Sequence, residues 1–117
     1  MPQITIPHQW RTQVCAILQT EATGTLIEWT DDATNRFEAT FLDAWPYEVY
    51  AAFRAYFGGP NPTGCFKAMA KPVGETYEFF FLFKGKTAYG KILLREHGGR
   101  IVIFSAHVPL KNKLDCD

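Results

Sequence analysis

Tyr89-Gly90-Lys91-Ile92-Leu93-Leu94-Arg95 runs through Glu96-His97-Gly98-Gly99 into Arg100-Ile101-Val102-Ile103-Phe104-Ser105-Ala106-His107. Two runs rich in apolar residues around a glycine pair predict a β-hairpin, with strands over 87–95 and 100–108. A three-residue loop with Gly99 in the left-handed region gives a type I turn with a bulge. In that register Glu96 opposes Arg100, Leu94 opposes Val102, Ile92 opposes Phe104 and Gly90 opposes Ala106, a face that belongs on a core. The other face carries Tyr89, Lys91, Leu93 and Arg95 from one strand, and Ile101, Ile103, Ser105 and His107 from its partner. Tyr89 then faces His107, and Lys91 faces Ser105.

Upstream of the hairpin, Thr76 to Phe83 holds Tyr77, Phe79, Phe80, Phe81 and Phe83, the pattern of a central strand covered on both faces. Packed core is the ordinary fate of such rings; a stacking platform for bases needs them on an open sheet face. Cys65–Ala70 is a shorter strand candidate. Gly58-Gly59-Pro60-Asn61-Pro62 is a loop, and the chain changes character there.

Before that loop the signals are mostly helical. Trp10, Val14, Ile17 and Leu18 predict an amphipathic helix over about residues 8–20, and 25–30 reads as a short strand. Pro46 suits a first helical position. Val49, Ala52, Phe53 and Phe57 line one face of a helix over 46–57. Residues 33–44 fit two patterns. Thr30-Asp31-Asp32 can cap a helix carrying Ala33, Phe37, Phe41 and Ala44. Phe37, Ala39 and Phe41 also alternate as a strand does. The expected fold is a single α+β domain over 1–117. An antiparallel sheet of about four or more strands, from the C-terminal half, packs on two or three helices from the N-terminal half.

The chain has 117 residues, 47% hydrophobic and 21% charged, so a disordered chain is excluded. No apolar run approaches the roughly 20 residues of a membrane helix, so no membrane partner is expected. The N-terminal residues lack the pattern of a signal peptide. Cys15, Cys65 and Cys116 are odd in number and widely spaced. A disulfide framework is therefore not expected, and a cytoplasmic location is. No Cys/His spacing suits zinc, and His8, His97 and His107 share no ligand pattern, so neither metal nor cofactor is expected.

Formal net charge is zero, but position matters. Residues 1–57 hold three bases against seven acids, a net −4, and residues 58–117 hold nine bases against five acids, a net +4. Between 84 and 113 seven bases meet only Glu96. Such a patch admits a polyanion although the whole molecule is neutral.

The polar hairpin face is the candidate site. Imidazole titrates near neutral pH and serves as general acid or base, which nominates His107. Lys91 and Arg95 can stabilise charge on a phosphoryl group, and Tyr89 can donate a proton or orient a substrate. Ser105 shares the face, but no acid is positioned to orient His107, which argues against a Ser-His-Asp hydrolase. Lys84-Gly85-Lys86 is a second candidate phosphate contact, although it lacks P-loop spacing. Each cation also fits the solvated face of an antiparallel sheet.

Helical character followed by an antiparallel sheet, with basic, His and Tyr residues on the late strands, resembles the RelE/ParE-like toxin superfamily. The resemblance lies in Phe79–Arg95 and Arg100–His107, about a third of the chain. It implies a small metal-independent endoribonuclease of the toxin–antitoxin kind, or a gyrase poison. RNA would be the substrate, and an antitoxin-like protein a partner. The resemblance further implies that Lys84, Lys86, Lys91 and Arg95 bind the scissile phosphate, while Tyr89 or His107 supplies acid–base function. Two other readings stand beside it. One is a non-catalytic interaction or accessory module. The other is a small-molecule pocket lined by Tyr47, Tyr50, Phe53 and Tyr56, between the helix 46–57 and the Phe-rich strand. A homodimer formed through an uncovered final strand is also open.

Overall fold

The computed structural model describes residues 2–69, 71–96 and 99–117. In chain order the elements are β1 (Ile4–Thr5), α1 (His8–Thr20), β2 (Ile27–Trp29), α2 (Asp31–Thr40), α3 (Pro46–Phe57), β3 (Thr63–Lys67), β4 (Gly74–Phe83), β5 (Lys86–Arg95) and β6 (Ile101–His107). Among the described residues, six strands form one sheet in the order β1-β3-β4-β5-β6-β2. The four strands of the second half run antiparallel as a meander, and β2 adds parallel to β6. The sheet is therefore mixed. The final strand is paired on both sides, by β5 and by β2, so it offers no open edge to a second copy.

All three helices lie on the face of β4 that carries its odd-numbered residues. Trp10 of α1 meets Tyr77 edge to face at 5.1 Å, Phe53 of α3 meets Phe81 at 4.7 Å, and Phe37 of α2 approaches Phe83 at 6.3 Å. The interval between α3 and β4 is filled with rings: Phe53 and Phe79 are fully buried, and Tyr56 stacks on Phe79 at 5.5 Å. Tyr47 points outward and is exposed. The apolar pocket expected there is occupied by core.

The segment that fitted both helix and strand is a helix. The Thr30 hydroxyl accepts from the Ala33 N–H at 3.0 Å, and Asp31 and Asp32 occupy the first turn, where they complement the helix dipole. Helical spacing buries Ala33 and Phe37 together, whereas a strand would have turned Phe37 and Ala39 to one face.

In the last hairpin the far end keeps the expected register: Tyr89 opposes His107, Gly90 opposes Ala106 and Lys91 opposes Ser105. Nearer the turn it differs. Ile92 opposes Ile103, Leu93 opposes Val102 and Leu94 opposes Ile101. The Arg95 N–H donates to the Arg100 carbonyl, so these two residues pair, not Glu96 with Arg100. A bulge at Phe104 absorbs the shift. The physical reason is burial. With the bulge, Ile101 and Ile103 both reach the core and are fully buried, and Phe104 is left half-buried at the side. Gly99 does take the left-handed conformation, with φ of 64°. His97 and Gly98, which complete the expected turn, and Ala70, the expected end of the third strand, lie outside the described residues.

Candidate functional site

The face of the sheet away from the helices carries Thr76, Glu78 and Phe80 of β4, Tyr89 and Lys91 of β5, and Ser105 and His107 of β6. Register brings them together: Glu78 opposes Lys91, which opposes Ser105, and Phe80 opposes Tyr89, which opposes His107. The Tyr89 and His107 rings are 5.5 Å apart. Glu78, Tyr89, Ser105 and His107 line a cavity of about 290 Å³, whose rim carries Asp32 and Arg36 of α2, paired with each other at 3.1 Å, and Lys111, Lys113 and Asp115 of the tail.

Glu78 is the floor of this cavity and only 1% exposed. A carboxylate so far from water needs donors on both oxygens. It has them: the Tyr89 hydroxyl donates to Oε2 at 2.5 Å, and the Asp115 backbone N–H donates to Oε1 at 2.8 Å. Burial first, then the hydrogen bond to Glu78, pushes the Tyr89 phenol well above its ordinary range. Tyr89 is therefore a proton donor held on Glu78 and never a phenolate base near neutral pH.

His107 is buried, and its Nδ1 is 2.8 Å from the Val108 carbonyl. A carbonyl only accepts, so Nδ1 carries the proton. Nε2 is the nitrogen left for a substrate; no group among the described residues hydrogen-bonds it. Nε2 thus faces a site that already holds a phenol, a hydroxyl and nearby cations.

The chain after β6 turns back over this face. Leu114 is buried, and the Leu114 N–H is capped by the Asp117 carboxylate at 2.9 Å. Asp115 pairs with Lys67 at 2.5 Å, a contact that holds the Asp115 carboxyl below its usual range and raises Lys67. Cys116 is joined to Cys65 of β3 by a disulfide, with Cα atoms 5.8 Å apart. This corrects the expectation of no disulfide. The two cysteines are 51 residues apart in sequence, and only the path of the tail across β3 and β4 makes them neighbours. Cys15 alone stays free, half-buried, its thiol raised by desolvation.

Other expected site residues lie elsewhere. Arg95 reaches Glu28 of β2 at 3.1 Å, and Arg100 approaches the same carboxylate at 3.8 Å. Lys84 pairs with Glu48 of α3 at 2.9 Å, and Lys86 is exposed in the β4–β5 turn region. None of these four lines the cavity. The reason is electrostatic: the acidic first half and basic second half meet in the fold, so several bases of the expected patch are taken up by carboxylates. Lys91 stays on the polar face, its Nζ 5.5 Å above the Phe104 ring, beside the cavity and not among the residues that line it. Glu78 and Asp115 were not among the residues the sequence singled out, and Lys111 and Lys113 entered only as members of the basic stretch 84–113. Glu78 had a legible signal, since it alternates with the aromatics of β4. The tail showed its basic charge but not its seat, because nothing local says where an irregular segment docks. Among the described residues, no group of three or more His, Cys, Asp or Glu side chains is arranged to hold a metal ion. No helix there is long and apolar enough to cross a membrane.

No family model, curated protein or solved structure matches the chain at a significant level.

Proposed function

We propose that the protein is a small toxin-like endoribonuclease or RNA-binding protein that works through the His107 cavity without a metal. The observation that carries the reading is His107 itself. Its Nδ1–H is committed to Val108, and its Nε2, without a hydrogen-bond partner among the described residues, lies beside Tyr89 and Ser105 in a cavity with Lys111 and Lys113 on its rim. In this reading His107 Nε2 takes the proton of a ribose 2′-hydroxyl. The resulting oxygen attacks the adjacent phosphorus, and the bond to the 5′-oxygen breaks. A cyclic phosphate and a 5′-hydroxyl end result, the leaving oxygen taking its proton from a lysine ammonium or water. Lys91, Lys111 and Lys113 offset the charge that builds on the phosphoryl oxygens. Tyr89, held by Glu78, keeps the imidazole ring in position, and Ser105 offers a hydroxyl to the substrate. Lys84, Lys86 and Arg95 lie outside the cavity and serve, at most, the flanking strand of a longer RNA.

The reading puts the working protein in the cytoplasm, where cysteines are ordinarily kept reduced. There the Asp115 contacts with Glu78 and Lys67 are what remain on the tail when the Cys65–Cys116 bond is reduced. An antitoxin-like protein covering the cavity belongs to the same reading.

The test is incubation of the purified protein with single-stranded RNA in EDTA. Cleavage is expected, and His107→Ala should lower its rate by about a hundredfold or more, the usual contribution of a general base. Equal cleavage by the variant, with the fold checked by circular dichroism, sinks the assignment. RNA binding with no cleavage favours the competing reading of a non-catalytic interaction module.

A further inference from the structure

A second cavity, of about 550 Å³, lies on the opposite side of α2 from the His107 site. Its walls are Trp29 of β2, Phe37 of α2 and Trp45 at the start of α3. Its lip carries Leu42, Glu38 and Asp43. The loop between α2 and α3 builds it. Phe41 is anchored in the core, edge to face with Phe83 at 4.8 Å, so the next residues are thrown outward. The Glu48 carboxylate then accepts from the Trp45 N–H at 2.7 Å, fixing the backbone that presents the indole.

Three features distinguish this cleft from ordinary surface. Leu42 and Trp45 are 84% and 65% exposed, so two large apolar side chains stand in water at its mouth. Trp29 is rigid: its Nε1–H donates to the Tyr50 hydroxyl at 2.7 Å, and its ring meets Phe37 at 5.2 Å. Glu38 and Asp43 have no hydrogen-bond or ion-pair partner among the described residues, and no lysine or arginine lines the cleft. Aromatic faces attract cations, unpaired carboxylates add to that attraction, and the volume is that of a small-molecule site.

We infer that this cleft binds a small organic cation with an apolar body, of the quaternary-ammonium type, against Trp45, Trp29 and Phe37, with Glu38 and Asp43 facing its charge. The inference does not depend on the ribonuclease reading, since the two cavities share no lining residue.

Choline is the probe, compared with its uncharged isostere in which carbon replaces the quaternary nitrogen. Calorimetric titration of the full chain should give saturable choline binding at least about tenfold tighter than the isostere. In nitrogen-resolved NMR the indole N–H signals of Trp29 and Trp45 should move, while that of Trp10, buried between α1 and β4, stays. Trp45→Ala should weaken choline about tenfold. The double substitution Glu38→Gln with Asp43→Asn should remove the preference for the cation. Equal affinity for both compounds overturns the inference, as does choline binding that survives Trp45→Ala or leaves both cleft indoles unmoved. No binding at about 100 mM choline also overturns it, since several aromatic rings and two carboxylates acting together should half-fill the cleft well below that concentration. The NMR test uses the unaltered protein, so it stands even if a variant fails to fold.

Discussion

Glu78 and Tyr89 show how one buried pair shapes the behaviour of the site. Glu78 sits within an aromatic strand and looks, from sequence, like one acid among many. In the structure it is the anion that holds the Tyr89 proton and ties down the tail. Its position follows from period-two alternation, which puts Thr76, Glu78 and Phe80 on the face opposite the aromatic core. What alternation does not supply is the donor from Asp115. The pair makes a prediction for alkaline pH. Tyr89 in the folded chain keeps its proton far above the ordinary range, because of burial first and the Glu78 hydrogen bond second. In the unfolded chain the phenol titrates near about 10. Above that pH the unfolded state binds fewer protons than the folded state, so stability is whole below about pH 10 and declines as pH rises. The denaturant midpoint should therefore fall between about pH 9 and about pH 11. Tyr89→Phe should flatten part of the fall, leaving the share of Tyr50 and Tyr77, which burial also raises. A Tyr89→Phe profile parallel to that of the unaltered protein would refute the role of the phenol.

Among the elements, α1 and α3 follow the sequence closely: the predicted spans 8–20 and 46–57 are the observed His8–Thr20 and Pro46–Phe57. Both carry a helical stripe of large apolar residues, and Pro46 marks a start. α2 was ambiguous because Phe37 and Phe41 satisfy both periods, and its cap decides. Thr30→Ala should cost about 1 kcal/mol, read as a lower denaturant midpoint, with Thr30→Ser restoring most of it. No shift in Thr30→Ala would show that packing of Phe37 alone specifies the helix. The hairpin was legible in existence and in its polar end, where Tyr89, Lys91, Ser105 and His107 meet as expected. It was not legible at the turn end, because a bulge trades local regularity for burial of two isoleucines. β1 is two residues long and pairs with β3 at the edge of the sheet, and so short a strand has no period to read.

For the whole molecule, the Cys65–Cys116 bond and the pairing of opposite charges carry the long-range order. The disulfide closes a loop of 51 residues in sequence, for which chain-entropy arguments give a stabilisation of roughly 2–4 kcal/mol. Cys116→Ser should lower unfolding stability by about that amount. It should also speed hydrogen exchange of backbone amides in 108–117 more than in β4, which is held from both sides. Unchanged exchange in the tail would mean that Leu114 and Asp115 suffice to hold it. The charge asymmetry of the two halves, net −4 and net +4, ends in part as contacts between them, Lys84 with Glu48 and Arg95 with Glu28. The basic patch available to a polyanion is therefore smaller than the sequence suggests and centres on Lys91, Lys111 and Lys113. The apolar cleft at Trp45 was equally hidden, since its walls come from three elements separated in sequence.

By itself, the sequence determined the α+β class, the two long helices, the last hairpin and the polar face that gathers Tyr89, Lys91, Ser105 and His107. Each of these rests on periodicity, capping or turn chemistry within a dozen or so residues, where the cost of order is local. Only the tertiary structure decided the bulge at Phe104, the seating of the tail on Glu78, the cysteine bond and which cations are left for the cavity. Those depend on competition between burial and charge pairing among residues far apart in the chain, and that competition is settled only when the whole core closes.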